Sequence, residues 1–100
     1  MLSSSRFIVA IHALSVLARH ANKGPVCSSA IAISVDTNPV VIRRLMAELE
    51  KAKLVRATAG RSGGFELERS ADGITLADIY QAVEDETVFR MHKTDPNSKC

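Results

Sequence analysis

The sequence predicts a mainly α fold with one small β-hairpin, an α+β chain, and three observations predict it. Apolar residues recur at three-and-four spacing from Phe7 to Ala18 and again from Ile42 to Ala52, the period of a buried helix face. The period then changes to two across "LVRATAGRSGGFELER", residues 54–69, around a glycine-dense turn, the pattern of a hairpin. With 100 residues, 46% hydrophobic and 24% charged, the chain has the size and composition of one small globular domain with a modest core.

In the first element Phe7, Ala10, Ile11, Leu14, Leu17 and Ala18 form one apolar face of a helix of about four turns. Ser4 or Ser5 is expected to cap it, and "NKGP" (22–25) to end it. The segment "CSSAIAISVD" predicts a short helix with Ser28 as N-cap and Ile31, Ala32 and Val35 on one side. "DTN" turns the chain. With Asn38 as N-cap, Pro39 falls at the first helical position, where its missing N–H costs nothing and its fixed φ suits the turn. The proline therefore starts a helix, predicted over 39–52. Its inward set is Ile42, Leu45, Met46, Leu49 and Ala52; its other set is Val40, Arg43, Arg44, Ala47, Glu48 and Lys51.

The hairpin follows, with Val55 and Ala57 on one strand, Phe65 and Leu67 on the other, and Arg61 near the tip beside Ser62. After it, Thr75 and Asp78 make a capping-box pair, with Ile74 and Ile79 as a hydrophobic staple, for a helix holding Leu76, Ile79, Tyr80 and Val83. Beyond Glu84 the pattern gives a loop after Phe89. The domain is placed at 1–84, with 85–100 as a linker beyond it.

Charge is unevenly spread. Residues 37–61 hold six Lys/Arg against two Glu, while residues 62–100 hold four Lys/Arg against eight Asp/Glu. A basic middle beside an acidic end points to a polyanion contact on one face. Short helix, turn, proline-started helix and hairpin in one block make a helix-turn-helix followed by a wing, the second helix of which enters a DNA major groove. Arginine can address guanine O6 and N7 with two hydrogen bonds, and valine can touch a thymine methyl. The candidate DNA-binding residues are thus Val40, Arg43 and Arg44 on bases. Ser28, Asn38 and Pro39 sit at helix starts, where free N–H groups receive phosphate. Arg61 and Ser62 lie on a thin turn suited to a minor groove. A winged-helix module whose basic face binds an acidic partner protein fits the same charge pattern, and the sequence leaves both readings open.

Other classes are disfavoured. With 4% aromatics and no tryptophan, stacking platforms for single-stranded nucleic acid are missing. No carboxylate pair, nucleophile–base set or phosphate-cradling loop emerges, so no catalytic residue is assigned and no enzyme is expected. His12, His20 and His92 have no partners at metal-ligand spacing, so no metal site is expected. Two cysteines fit a reducing compartment rather than a disulfide scaffold. Cys27 and Cys100 are candidate redox residues, Cys27 because it stands just ahead of a helix start; inert cysteines are the alternative reading. The run "FIVAIHALSVLA" is too short to span a bilayer and lacks a cleavage signal. The chain is read as cytoplasmic, with no membrane partner.

From Ser5 to Cys100 the chain also resembles the Rrf-two family of winged-helix regulators, the group that includes IscR, NsrR and CymR, and most of all its YwnA-like members. The resemblance rests on "TNPVVIRRL", on the glycine-rich wing and on "ITLADIYQAVE", with "VFRMHKTDPNSKC" adding to it. It implies a bacterial transcriptional repressor that binds double-stranded DNA at a palindromic operator as a homodimer. Cluster-binding members carry three closely spaced cysteines after the fourth helix. Only Cys100 stands in that region here, so the resemblance does not extend to an iron–sulfur cluster and no cofactor is expected. Members also continue from this linker into a long C-terminal dimerisation helix, so the resemblance implies either an unusually short member or, the favoured expectation, a fragment that stops before that helix.

Overall fold

This computed structural model describes the backbone of residues 2–92 and the side chains of residues 6–84. The elements run α1 (Leu2–Arg19), α2 (Ser28–Ser34), α3 (Pro39–Lys51), β1 (Val55–Thr58), β2 (Gly64–Leu67) and α4 (Leu76–His92), with a 3-10 turn at Ala71–Gly73 before α4. The mainly α architecture with one hairpin is the one the sequence predicts, in the predicted order.

α1 lies at the centre, against α2, α3, α4 and β2. It buries Ala10, Ala13, Leu14, Val16 and Leu17, a face wider than the predicted stripe because it has neighbours on several sides. Its start also differs: the helix begins at Leu2 rather than after a Ser4 or Ser5 cap. Serine costs a helix interior only about 0.5 kcal/mol, so the serine triplet extends α1 instead of starting it.

The start of α2 needs a second correction. The N-cap is Cys27, extended at φ −73° and ψ 157°, and Ser28 is already helical. The cause lies upstream. Val26 exchanges two backbone hydrogen bonds of 2.9 Å with Phe65, which holds the chain extended as far as residue 27. Ile31 and Ala32 then turn into the core, as expected.

α2 and α3 end in the same way. At each, a residue with left-handed φ follows the last turn: Asp36 at 58° and Lys53 at 64°. Paired backbone bonds close the ends, Thr37 N–H to Ala32 and Asp36 N–H to Ile33, then Leu54 N–H to Leu49 and Lys53 N–H to Glu50. These are Schellman ends, which satisfy carbonyls a helix leaves open. At α3 the two residues that such an end sets side by side, Leu49 and Leu54, are both buried.

The hairpin is antiparallel with Val55 opposite Leu67, Arg56 opposite Glu66, Ala57 opposite Phe65 and Thr58 opposite Gly64. Arg56 lies 3.4 Å from Glu66 and 3.7 Å from Glu68. These are surface ion pairs, worth little to stability.

α4 begins at the predicted capping box. Thr75 N–H donates to Asp78, and Asp78 N–H donates to the Thr75 hydroxyl. The bond from the Thr75 backbone, helped by its hydroxyl, holds the Asp78 carboxyl below its ordinary pKa. Ile79 and Val83 are buried, with Ile74 packed against the core. Leu76 and Tyr80, predicted in the same apolar set, are more than half exposed; Tyr80 meets Phe7 edge-on at 5.5 Å. The helix passes through residues 84 and 85 without a break and continues beyond Phe89 to His92, so residues 90–92, expected as loop, are helix. No proline or glycine stands between Glu84 and His92 to stop it.

Candidate nucleic-acid interface

α3 carries the predicted basic face, and the structure fixes how that face is presented. Ile42, Leu45, Met46 and Leu49 are fully buried. Taking about 100° per residue, the line opposite this core runs through Val40, Ala47, Arg44 and Lys51. All four are exposed, with Val40 at 52%. Arg43 stands to one side of that line, toward α2, and its guanidinium donates to the Ser28 hydroxyl at 3.5 Å. Glu48 stands to the other side. The period placed it among the outward residues, yet it is only 6% exposed and pairs with Arg6 of α1. That pair joins residues 42 positions apart, and nothing local in the sequence signals it.

The start of α3 is built as predicted but leaves less room for an anion than expected. Pro39 occupies the first turn, and the Asn38 Oδ1 accepts from the N–H groups of Val40 and Val41 at 3.0 and 3.2 Å. The next amide, Ile42 N–H, is bonded to the Asn38 carbonyl. The amides of Val40, Val41 and Ile42 are thus taken, and what Asn38 offers a phosphate is its own N–H and its Nδ2. At α2 the Cys27 side chain makes no capping bond. Ser28, one residue further in than predicted, has a hydroxyl that faces Arg43 instead of capping.

Arg61 and Ser62 are exposed at the hairpin tip, in a turn closed by a Gly63 N–H to Gly60 carbonyl bond of 3.0 Å. The turn-side end of β2 is fastened to the helix-turn-helix by the Val26–Phe65 pairing, one residue before Cys27. Gly64 makes that approach feasible. At φ 154°, a Cβ there would lie 2.5 Å from the Val26 carbonyl carbon and oxygen. Neither Gly64 nor Val26 was a candidate from the sequence, where "GG" reads only as a turn signal. Ser28, Asn38, Pro39, Val40, Arg43 and Arg44 thus come together around the start of α3, with Arg61 and Ser62 on a separate arm. Cys27 is exposed, and Cys100 lies outside the described residues. Among the described residues no helix is long and apolar enough to cross a membrane.

The fold that carries these residues recurs in known proteins. The profile of the Rrf2 family, described as an iron-dependent transcriptional regulator, matches residues 3–100. The HTH-type transcriptional regulator YwnA of Bacillus subtilis is 40% identical over 98 residues, 97% of this chain and 70% of YwnA. The regulator YwgB of the same organism is 36% identical over 75% of this chain and 48% of its own length. Among solved structures, CymR, the global cysteine regulator of B. subtilis, superposes with a TM-score of 0.75 at 26% identity, covering 79% of this chain and 61% of CymR. T. potens IscR does so at 0.73 and 26% identity, covering 89% and 72%.

The iron in the family's description calls for a set of converging donor side chains. The chain has two cysteines. Cys27 sits exposed on the helix-turn-helix, and among the described residues no group of three or more His, Cys, Asp or Glu is placed to hold a metal ion. A cluster needs several thiolate or imidazole ligands converging on it, and the described residues do not fit one. What the chain shares with its relatives is the winged-helix framework of a non-enzymatic regulator: it belongs to the Rrf2 family of transcriptional regulators.

Proposed function

We propose that the chain is the DNA-binding part of a cytoplasmic repressor that acts as a homodimer on a palindromic operator. α3 lies in the major groove and the wing reaches the flanking minor groove. The observation that supports this best is the outward line of α3, which presents valine, alanine and arginine side chains from its first turn onward while its opposite side is locked in the core. Two such helices related by a dimer axis meet half-sites one DNA turn apart, about 34–36 Å. Arg61 adds a charge that displaces counterions from the DNA.

Selection of bound duplexes from random DNA, followed by gel-shift titration of the selected operator against a scrambled duplex, tests the reading. The chain is expected to prefer the operator, and Arg61→Ala to weaken binding and flatten its dependence on salt by about one unit of log–log slope. Equal binding to both duplexes, or binding to neither, rejects sequence-specific recognition and favours an acidic protein partner for the same face.

A further inference from the structure

The two adjacent arginines of α3 are not equivalent, and the difference specifies what the operator must contain. Arg44 lies within about 30° of the line opposite the core, at about 100° per residue, on the same stripe as Val40 and Ala47. Among the described residues it has no hydrogen-bond or ion-pair partner. Arg43 lies about 70° from that line, on the flank facing α2, where its Nη1 is already within 3.5 Å of the Ser28 hydroxyl. A helix set into the major groove turns its outermost line to the base edges and its flanks to the sugar–phosphate walls.

Resting on the DNA-binding reading above, we infer that the arginines divide the work. Arg44 reads a guanine, through two hydrogen bonds to O6 and N7. Val40, one turn earlier on the same stripe, meets a thymine methyl a short step away. Arg43 and Ser28 together grip a backbone phosphate, the guanidinium supplying charge and the hydroxyl a second donor. Each half-site then contains one arginine-read guanine rather than two adjacent ones, and the α2–α3 pair is anchored by a contact indifferent to sequence.

The test uses the selected operator and a scrambled duplex with five chains: wild type, Arg44→Ala, Arg43→Ala, Ser28→Ala and the double variant Arg43→Ala with Ser28→Ala. All three side chains are exposed or half-buried at the surface, and thermal melting checks that the fold is unchanged. Arg44→Ala is expected to lower the operator-to-scrambled affinity ratio by about 10-fold or more, the discrimination of a good bidentate pair. Arg43→Ala is expected to weaken both duplexes alike, leaving that ratio within about 3-fold and reducing the salt slope by about one. Ser28→Ala should add little to Arg43→Ala, since the two share one phosphate. A collapse of the ratio in Arg43→Ala, or its survival in Arg44→Ala, overturns the division of labour. Full additivity of Ser28→Ala and Arg43→Ala overturns the shared phosphate. A wild-type chain that does not discriminate at all rejects the DNA reading itself, a separate result.

Discussion

α3 and the hairpin are both expected to meet DNA, yet they are held by different physics. α3 has thirteen residues, five of them buried, and is closed at both ends by hydrogen bonds. Arg43 and Glu48 tie its two flanks to α2 and α1. The hairpin buries only Val55 on β1 and leaves β2 half-exposed. Beyond its own ladder and the partial packing of Phe65 and Leu67 against the core, what fixes it is backbone: the pairing of Phe65 with Val26 and the close approach that Gly64 permits. Apolar burial aims the helix, and main-chain geometry aims the wing. Substitutions should therefore act on α3 in proportion to volume lost, and on the wing in proportion to space demanded.

The largest effect is expected at Leu49. It is 0% exposed and closes both the core face of α3 and its C-terminal Schellman end. Leu49→Ala should destabilise the chain by about 2–5 kcal/mol, from lost burial and the cavity left behind, read as a lower urea midpoint. A loss under about 1 kcal/mol would mean that burial does not set α3.

Gly64→Ala comes next and tests the other half of the comparison. No apolar surface is lost, but the new methyl has no room against the Val26 backbone. Its left-handed φ adds strain, and the two together are expected to cost about 1–3 kcal/mol. Hydrogen exchange should localise the damage, with the amides of Val26 and Phe65 exchanging faster while those in the middle of α3 keep their relative protection. Uniform loss across the chain would show that wing and helix are one cooperative unit, and that the distinction fails.

What the sequence made legible follows the same line. The α3 register was readable because local signals agree: Asn38 and Pro39 fix the start, and Ile42, Leu45, Met46 and Leu49 repeat on one side. The hairpin's strands were readable from their alternation, and the Thr75–Asp78 cap from its spacing. Contacts between distant segments were not. The start of α2 was misplaced by one residue because the Val26–Phe65 pairing joins positions 39 apart, and periodicity reports nothing at that range. Glu48 looked outward because its partner, Arg6, lies in another helix. The far part of α4 was missed because "EDETVFRMH" has no clean apolar stripe, and only the absence of a breaker argued for helix. Of the candidate site, the residues around α3 and the wing tip were named from sequence; how Arg43 differs from Arg44 needed the position of Ser28.

The smallest expected effect lies at the joint between the two regions. Lys53 ends α3 and leads into β1, and it does so at φ 64°. A side chain there crowds its own backbone, a penalty of about 1–2 kcal/mol that glycine escapes. Glycine also has more freedom to lose on folding, which returns about 0.5–1 kcal/mol of that gain. Lys53→Gly should therefore stabilise the chain by roughly 0.5–1 kcal/mol, seen as a rise in thermal midpoint, with Leu54 N–H still bonded to Leu49. Asp36→Gly at the matching joint after α2 should gain less, since short polar side chains tolerate the left-handed region better than lysine does. If Lys53→Gly destabilises instead, lysine's aliphatic stem is packing at the joint, and the handover from helix to wing is held by a side chain as well as by the main chain.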